Sequence, residues 1–178
     1  MKSFKFIITI LLISVFSIAK SQRSLIIADN YNKKKDETTL VIIPNGNIVF
    51  PGKWHKIAYN QSSKQHFFRN ADSTLLIIAK APQNKFDFYV KNNSNKEFSS
   101  AYYKWENDYW TQKGLNSKLF KDQSDQGYIL WQLSGQKYKT TTFLLGAKNG
   151  YGYNLSTVSK IWDEEKQQKF LADIFLEN

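Results

Sequence analysis

The sequence predicts an α+β fold: one antiparallel sheet of about six to eight strands packed by two helices. Three observations carry this. Short runs of β-branched and aromatic residues alternate with breaks rich in Asn, Gly and Pro, as in Leu40–Ile43, then Pro44-Asn45-Gly46, then Asn47–Phe50. Strands joined by such short breaks must run antiparallel. Two later segments, Phe98–Lys113 and Asp163–Leu176, change to helical spacing.

The elements follow in order. Leu25–Ala28 reads as a first short strand, and Asp29–Thr39, which contains Lys33-Lys34-Lys35, as a loop or hairpin tip. The Asn45-Gly46 pair between β-branched runs is a strong hairpin signal, because both residues tolerate positive φ. Pro51-Gly52 breaks the chain again. Trp54–Tyr59 and Gln65–Phe68 form a second hairpin around Asn60–Ser63. Leu75–Ala79 is a continuous apolar run, which reads as a central strand covered on both faces and ended by Pro82. Phe86, Phe88 and Val90 fit either a strand edge or a first helical turn. Ser99 or Ser100 is expected to cap the first helix and Gly114 to close it. Leu115–Gln126 reads as a polar connection anchored by Leu119 and Phe120. Three strands follow, Tyr128–Leu133, Lys139–Ala147 and Tyr151–Leu155, the last two joined by Lys148-Asn149-Gly150. The terminal helix buries Phe170, Leu171, Ile174 and Phe175, and its first turn carries Asp163, Glu164 and Glu165, where carboxylates complement the helix dipole.

Residues 1–21 are expected to be a secretory signal peptide. Lys2 and Lys5 precede an apolar run, and Ala19-Lys20-Ser21 places small residues where a signal peptidase reads, with cleavage before Gln22. The run is about 14 residues long, against the roughly 20 that span a bilayer. Residues 22–178 then form a single secreted or periplasmic domain with no stable membrane insertion after cleavage.

Composition excludes several chemistries. The 178 residues contain no Cys, which removes disulfides, thiolate metal sites and cysteine nucleophiles. The formal charge of +10 falls to +7 without Lys2, Lys5 and Lys20. Only Arg23 and Arg69 are Arg, and Arg is the residue that forks onto guanine and phosphate. Specific nucleic-acid binding is not expected. The basic surface reads instead as Lys-rich composition on a soluble face.

The run Asn47-Ile48-Val49-Phe50-Pro51-Gly52-Lys53-Trp54 and the terminal Phe170-Leu171-Ala172-Asp173-Ile174-Phe175 resemble the corresponding segments of the PsbP-like family, as does the order of elements. These are extrinsic proteins of the photosynthetic lumen with bacterial relatives. The resemblance implies an α-β-α sandwich and a binding or assembly-support role more often than catalysis. It carries over no ligand residue.

No nucleophile elbow, phosphate loop or metalloprotease motif is present, so no catalytic residue, cofactor or metal ligand is assigned. His55 and His66 lie on one expected hairpin. If paired residues sum to 123 they share a face roughly 7 Å apart, and a slip of one residue separates them. Two histidines are too few for a tight zinc site. The Asn-x-Ser triplets at Asn60, Asn92 and Asn154 read as chance in a chain of bacterial character.

Aromatic residues make up 16% of the chain, which is the anomaly that points to function. On the first helix Phe98, Tyr102, Trp105 and Tyr109 fall on one stripe, which reads as core. Tyr103 and Trp110 fall on an adjacent face, so the aromatic arc is roughly 160° wide against about 100° for an ordinary stripe. Glu106 lies between the faces and Lys113 beyond. Tyr103, Glu106, Trp110 and Lys113 are therefore the candidate binding residues, for a protein partner or for a small molecule or glycan stacked on the rings. A carboxylate-only hydrolase is the remaining alternative and needs a second acid beside Glu106. Oligomeric state is left open.

Overall fold

The computed structural model describes residues 28–135 and 138–178; the expected signal peptide and residues 25–27 of the expected first strand lie outside them. Ten strands and two helices are described: β1 Ala28–Asn32, β2 Glu37–Ile42, β3 Gly46–Pro51, β4 His55–Asn60, β5 Gln65–Arg69, β6 Leu75–Pro82, α1 Asn95–Gln112, β7 Asn116–Gln123, β8 Tyr128–Gly135, β9 Tyr138–Lys148, β10 Tyr151–Val158 and α2 Glu164–Glu177. They form a three-stranded sheet, β1-β2-β3, and a seven-stranded sheet, β4-β5-β6-β10-β9-β8-β7. Every strand pairing is antiparallel. The α+β expectation holds, with a second small sheet added.

Alternation along the strands builds two cores, one on each face of the large sheet. On one face Phe68, Leu76, Ile78, Leu130, Leu144, Tyr153 and Leu155 meet α2 through Leu171, Ile174 and Phe175, and meet the small sheet through Leu40, Ile48 and Phe50. On the other face Trp131, Leu133, Phe143, Leu145 and Ala147 meet Phe98 and Tyr102 of α1. Each buried Leu or Phe contributes roughly 1.5–3 kcal/mol, so both faces are held by apolar burial. Trp54 and Trp131 are core residues, whereas Trp162 is half-buried at the rim.

Several expectations are corrected. The segment read as a loop, Asp29–Thr39, is mostly strand. Its tip is residues 33–36, shaped by the Asn32 side chain accepting from the Lys34 and Lys35 amides and by a 2.7 Å bond from the Tyr31 hydroxyl to Asp36. β6 is third from the edge and not central, and its residues alternate between buried (Leu76, Ile78) and half-buried (Leu75, Ile77, Ala79). The strands buried on both faces are β8, β9 and β10, because α1 and α2 cover the sheet there from opposite sides.

Phe86 and Phe88 are in neither a strand nor a helix. They follow a 3₁₀ turn at Gln83–Lys85 and pack on Phe98 and Tyr102. The polar connection Leu115–Gln126 contains β7, an edge strand whose exposed polar residues conceal its pairing with β8.

Candidate functional site

α1 starts earlier than expected. Ser94 caps it, accepting from the Glu97 amide at 3.2 Å, and the Glu97 carboxylate accepts in return from the Ser94 amide at 2.7 Å. Ser99, an expected cap, is instead buried one turn inside. Its hydroxyl lies 2.7 Å from the carbonyl of Gly127, in the turn before β8.

This contact orients the helix. At about 100° per residue, Ser99 and Glu106 share the line of α1 that faces the sheet. Phe98 and Tyr102 flank that line on one side, Tyr103 and Trp110 on the other. A small residue and a carboxylate therefore occupy the centre of the contact, and aromatics straddle it.

Glu106 is half-buried and held by two N–H donors. Trp110 Nε1 donates to its Oε2 at 2.8 Å, and Asn154 Nδ2 on β10 donates to its Oε1 at 3.2 Å. Burial pushes its carboxyl above the ordinary range, and the two hydrogen bonds pull the other way. Tyr102, buried beside it, has its hydroxyl pushed well up by desolvation and then by the Glu106 charge. Neither donor is an acid, so the acid pair that a carboxylate-only hydrolase needs is not seen in these contacts.

Beneath α1, β10 presents Gly152, Asn154 and Ser156 on one face. Asn154 Oδ1, Ser156 Oγ and, on β8, Trp131 Nε1 are buried and have no hydrogen-bond partner among the described residues. Sequence reasoning missed Asn154 and Ser156 as part of this arrangement. Their signal was small or polar residues at every second position of an otherwise apolar strand.

The four candidate binding residues do not form one exposed face. Tyr103 is half-buried, its ring edge-on to Trp131 at 5.4 Å. Trp110 is half-buried against Tyr138 at 5.6 Å. Lys113 is exposed, with its ammonium 5.7 Å from the centre of the Tyr109 ring. The exposed aromatics are Trp105 and Tyr109, at 46% and 48%, which reverses their reading as core. The cause is position along α1: Phe86 and Phe88 cover the stripe at Phe98 and Tyr102, Phe88 reaches the Trp105 ring at 5.8 Å, and Tyr109 lies a turn beyond. This stripe lies on the β10 side of α1, because Tyr102 and Glu106 lean towards Asn154 whereas Tyr103 and Trp110 lean towards β8 and β9.

The two histidines are separated. The β4–β5 register pairs His55 with Arg69 and, past a bulge, Tyr59 with His66. This differs from the 123 register and puts the histidines on opposite faces of the hairpin. His55 is exposed. His66 is buried beside Tyr59, with ring centres 4.7 Å apart and Nδ1 unpartnered. Burial, and secondarily the Lys56 charge, lowers its pKa to about 4. Among the described residues no group of three or more His, Cys, Asp or Glu could hold a metal ion, and no described helix is long and apolar enough to cross a membrane.

No family model matches the chain, and no curated protein matches it. Among solved structures it is similar to the solution structure of cyanobacterial PsbP (CyanoP) from Synechocystis sp. PCC 6803. The match covers 92% of this chain and 96% of that one, at 12% identity and a TM-score of 0.36.

Proposed function

We propose that this chain is an exported, non-catalytic binding module whose contact surface is the carboxyl-terminal half of α1. The observation that carries the reading is the exposed pair Trp105 and Tyr109, one helical turn apart. Beside them are Lys113, over the Tyr109 ring, and Glu106, anchored to the sheet. Large aromatics left outside a well-packed helix supply contact area at low entropic cost. The neighbouring sheet face supports a protein partner. Ala58, Phe67 and Ile77 share the α1 side across β4, β5 and β6 and are exposed or half-buried, giving apolar area beyond the helix. Tyr103 and Trp110 act as supports behind the surface, with Glu106 fixed between them. Export rests on the signal-peptide reading of residues 1–21.

Native mass spectrometry of the protein isolated from its own organism tests this. A second polypeptide is expected, and it should be lost from a Trp105→Ala/Tyr109→Ala variant that unfolds at the wild-type temperature. A partner retained by that variant overturns the assignment. A co-purifying small mass in place of a polypeptide would transfer the reading to a small-molecule or glycan site on the same rings.

A further inference from the structure

A second site lies at the β5–β6 connection. A cavity of about 390 Å³ is lined by Arg69, Lys139, Lys160, Asp72, Ser73 and Ser159, over a floor that includes Leu75 and Val158. Strand register builds it. Arg69 pairs with Leu75, and Leu75 with Val158, so the end of β5 lies next to the ends of β6 and β10. Lys139 comes from β9, and Lys160 from the turn after β10. Three cations from three separate segments thus converge on one hollow.

The charge there is not balanced from within. The ion pairs of the described residues are Lys96–Asp125, Lys104–Asp108, Lys118–Glu164 and Lys169–Asp173, and none involves Arg69, Lys139 or Lys160. Asp72 is the one carboxylate lining the cavity. Its Oδ2 accepts from Trp162 Nε1 at 3.2 Å, on the Trp162 side. Ser159 Oγ is held by Thr74 Oγ1 at 2.8 Å and accepts from the amides of Ile161 and Trp162, which fixes the turn that carries Lys160. Arg69 is the single Arg among the described residues and supplies a planar fork of donors suited to an oxyanion.

We propose that this cavity binds a tetrahedral oxyanion, a phosphate or sulfate group, between Arg69, Lys139 and Lys160. It lies on the α1 side of the large sheet, where Arg69 and Leu75 follow Phe67 and Ile77 on the same strand faces, but it rests on its own residues and does not depend on the α1 surface being a binding face.

The test is titration calorimetry of the mature chain with inorganic phosphate and inorganic sulfate at constant ionic strength and pH. Saturable binding is expected, weakened about tenfold or more in Arg69→Gln and in Lys160→Gln. Lys85→Gln, at the opposite end of β6, should bind as wild type. Lys160 sits on an exposed turn, so its variant serves if Arg69→Gln does not fold. Absence of saturable binding to either anion overturns the proposal, as does equal affinity in wild type and a folded Arg69→Gln or Lys160→Gln.

Discussion

Asn154 on β10 donates its side-chain amide to Glu106 on α1 at 3.2 Å, joining the middle of the sheet to the line of the helix that faces it. Among the described residues the same Asn154 leaves its Oδ1 buried and unpartnered. Glu106 therefore brings a charge to a place where two N–H donors meet it and desolvation dominates.

Glu106→Gln should stabilise the fold at neutral pH. The folded carboxyl has a raised pKa, so the native state binds more protons than the unfolded chain just above the ordinary carboxylate range. Its contribution to stability is then lost as pH rises through that window. A Gln still accepts from Trp110 and can donate to Asn154 Oδ1. The expected gain is about 1 kcal/mol at pH 7, or roughly 2–4 °C, shrinking below pH 4.5. Thermal unfolding at the two pH values checks it, and a loss at pH 7 would mean that the charge itself stabilises the helix.

His66 makes the domain acid-sensitive in the opposite sense. Its folded pKa is lowered to about 4 from 6.5, so the unfolded chain takes up the proton first. The stability tied to the neutral ring is complete above pH 6.5 and is lost as pH falls towards 4, on the order of 2–3 kcal/mol in all. His66→Phe keeps a ring against Tyr59 and removes the titration. Urea unfolding between pH 7 and 4 should fall less steeply for the variant than for wild type; parallel curves would refute the assignment.

At Gly146 a ring of α2 lies close against β9. A Cβ there would stand 2.6 Å from Cε2 of Phe175 and 3.0 Å from the Gly127 carbonyl oxygen. Both neighbours are buried, and one is backbone. Gly146→Ala should cost about 1–3 kcal/mol by overpacking, despite the gain in strand propensity. Chemical denaturation gives the number, and a neutral result would show that the Phe175 ring moves freely.

Ser94→Ala removes the hydroxyl that accepts from the Glu97 amide and leaves one end of the capping box. A loss of about 1 kcal/mol is expected. Because the cap is remote from Trp105 and Tyr109, partner binding by the folded variant should not change. Ser100→Ala, an exposed change inside the helix, should be near neutral, which separates the observed cap from the one expected from sequence.

Much of the candidate site was legible as residue types but not as an arrangement. Helical spacing puts Glu106 between two aromatic faces, and in the structure it accepts from Trp110 and Asn154. How far along α1 the burial extends was not legible. Helical spacing alone ranks the stripe of Phe98, Tyr102, Trp105 and Tyr109 as the buried one, but Phe86 and Phe88, which arrive from outside the helix, cover only its first half. β7 was missed for a related reason. An edge strand buries little, so its pattern carries almost no apolar alternation.

The α+β class, the hairpins, the two helices and the absence of cysteine chemistry are all readable from the chain's local periodicity, turn residues and composition. Which aromatics stand outside, which face each histidine takes, and that Arg69, Lys139 and Lys160 surround one cavity are set by the folded arrangement. Those outcomes depend on register and on the approach of residues far apart in the chain. A bulge of one residue in β4, or two phenylalanines from a loop, changes them without altering any local signal.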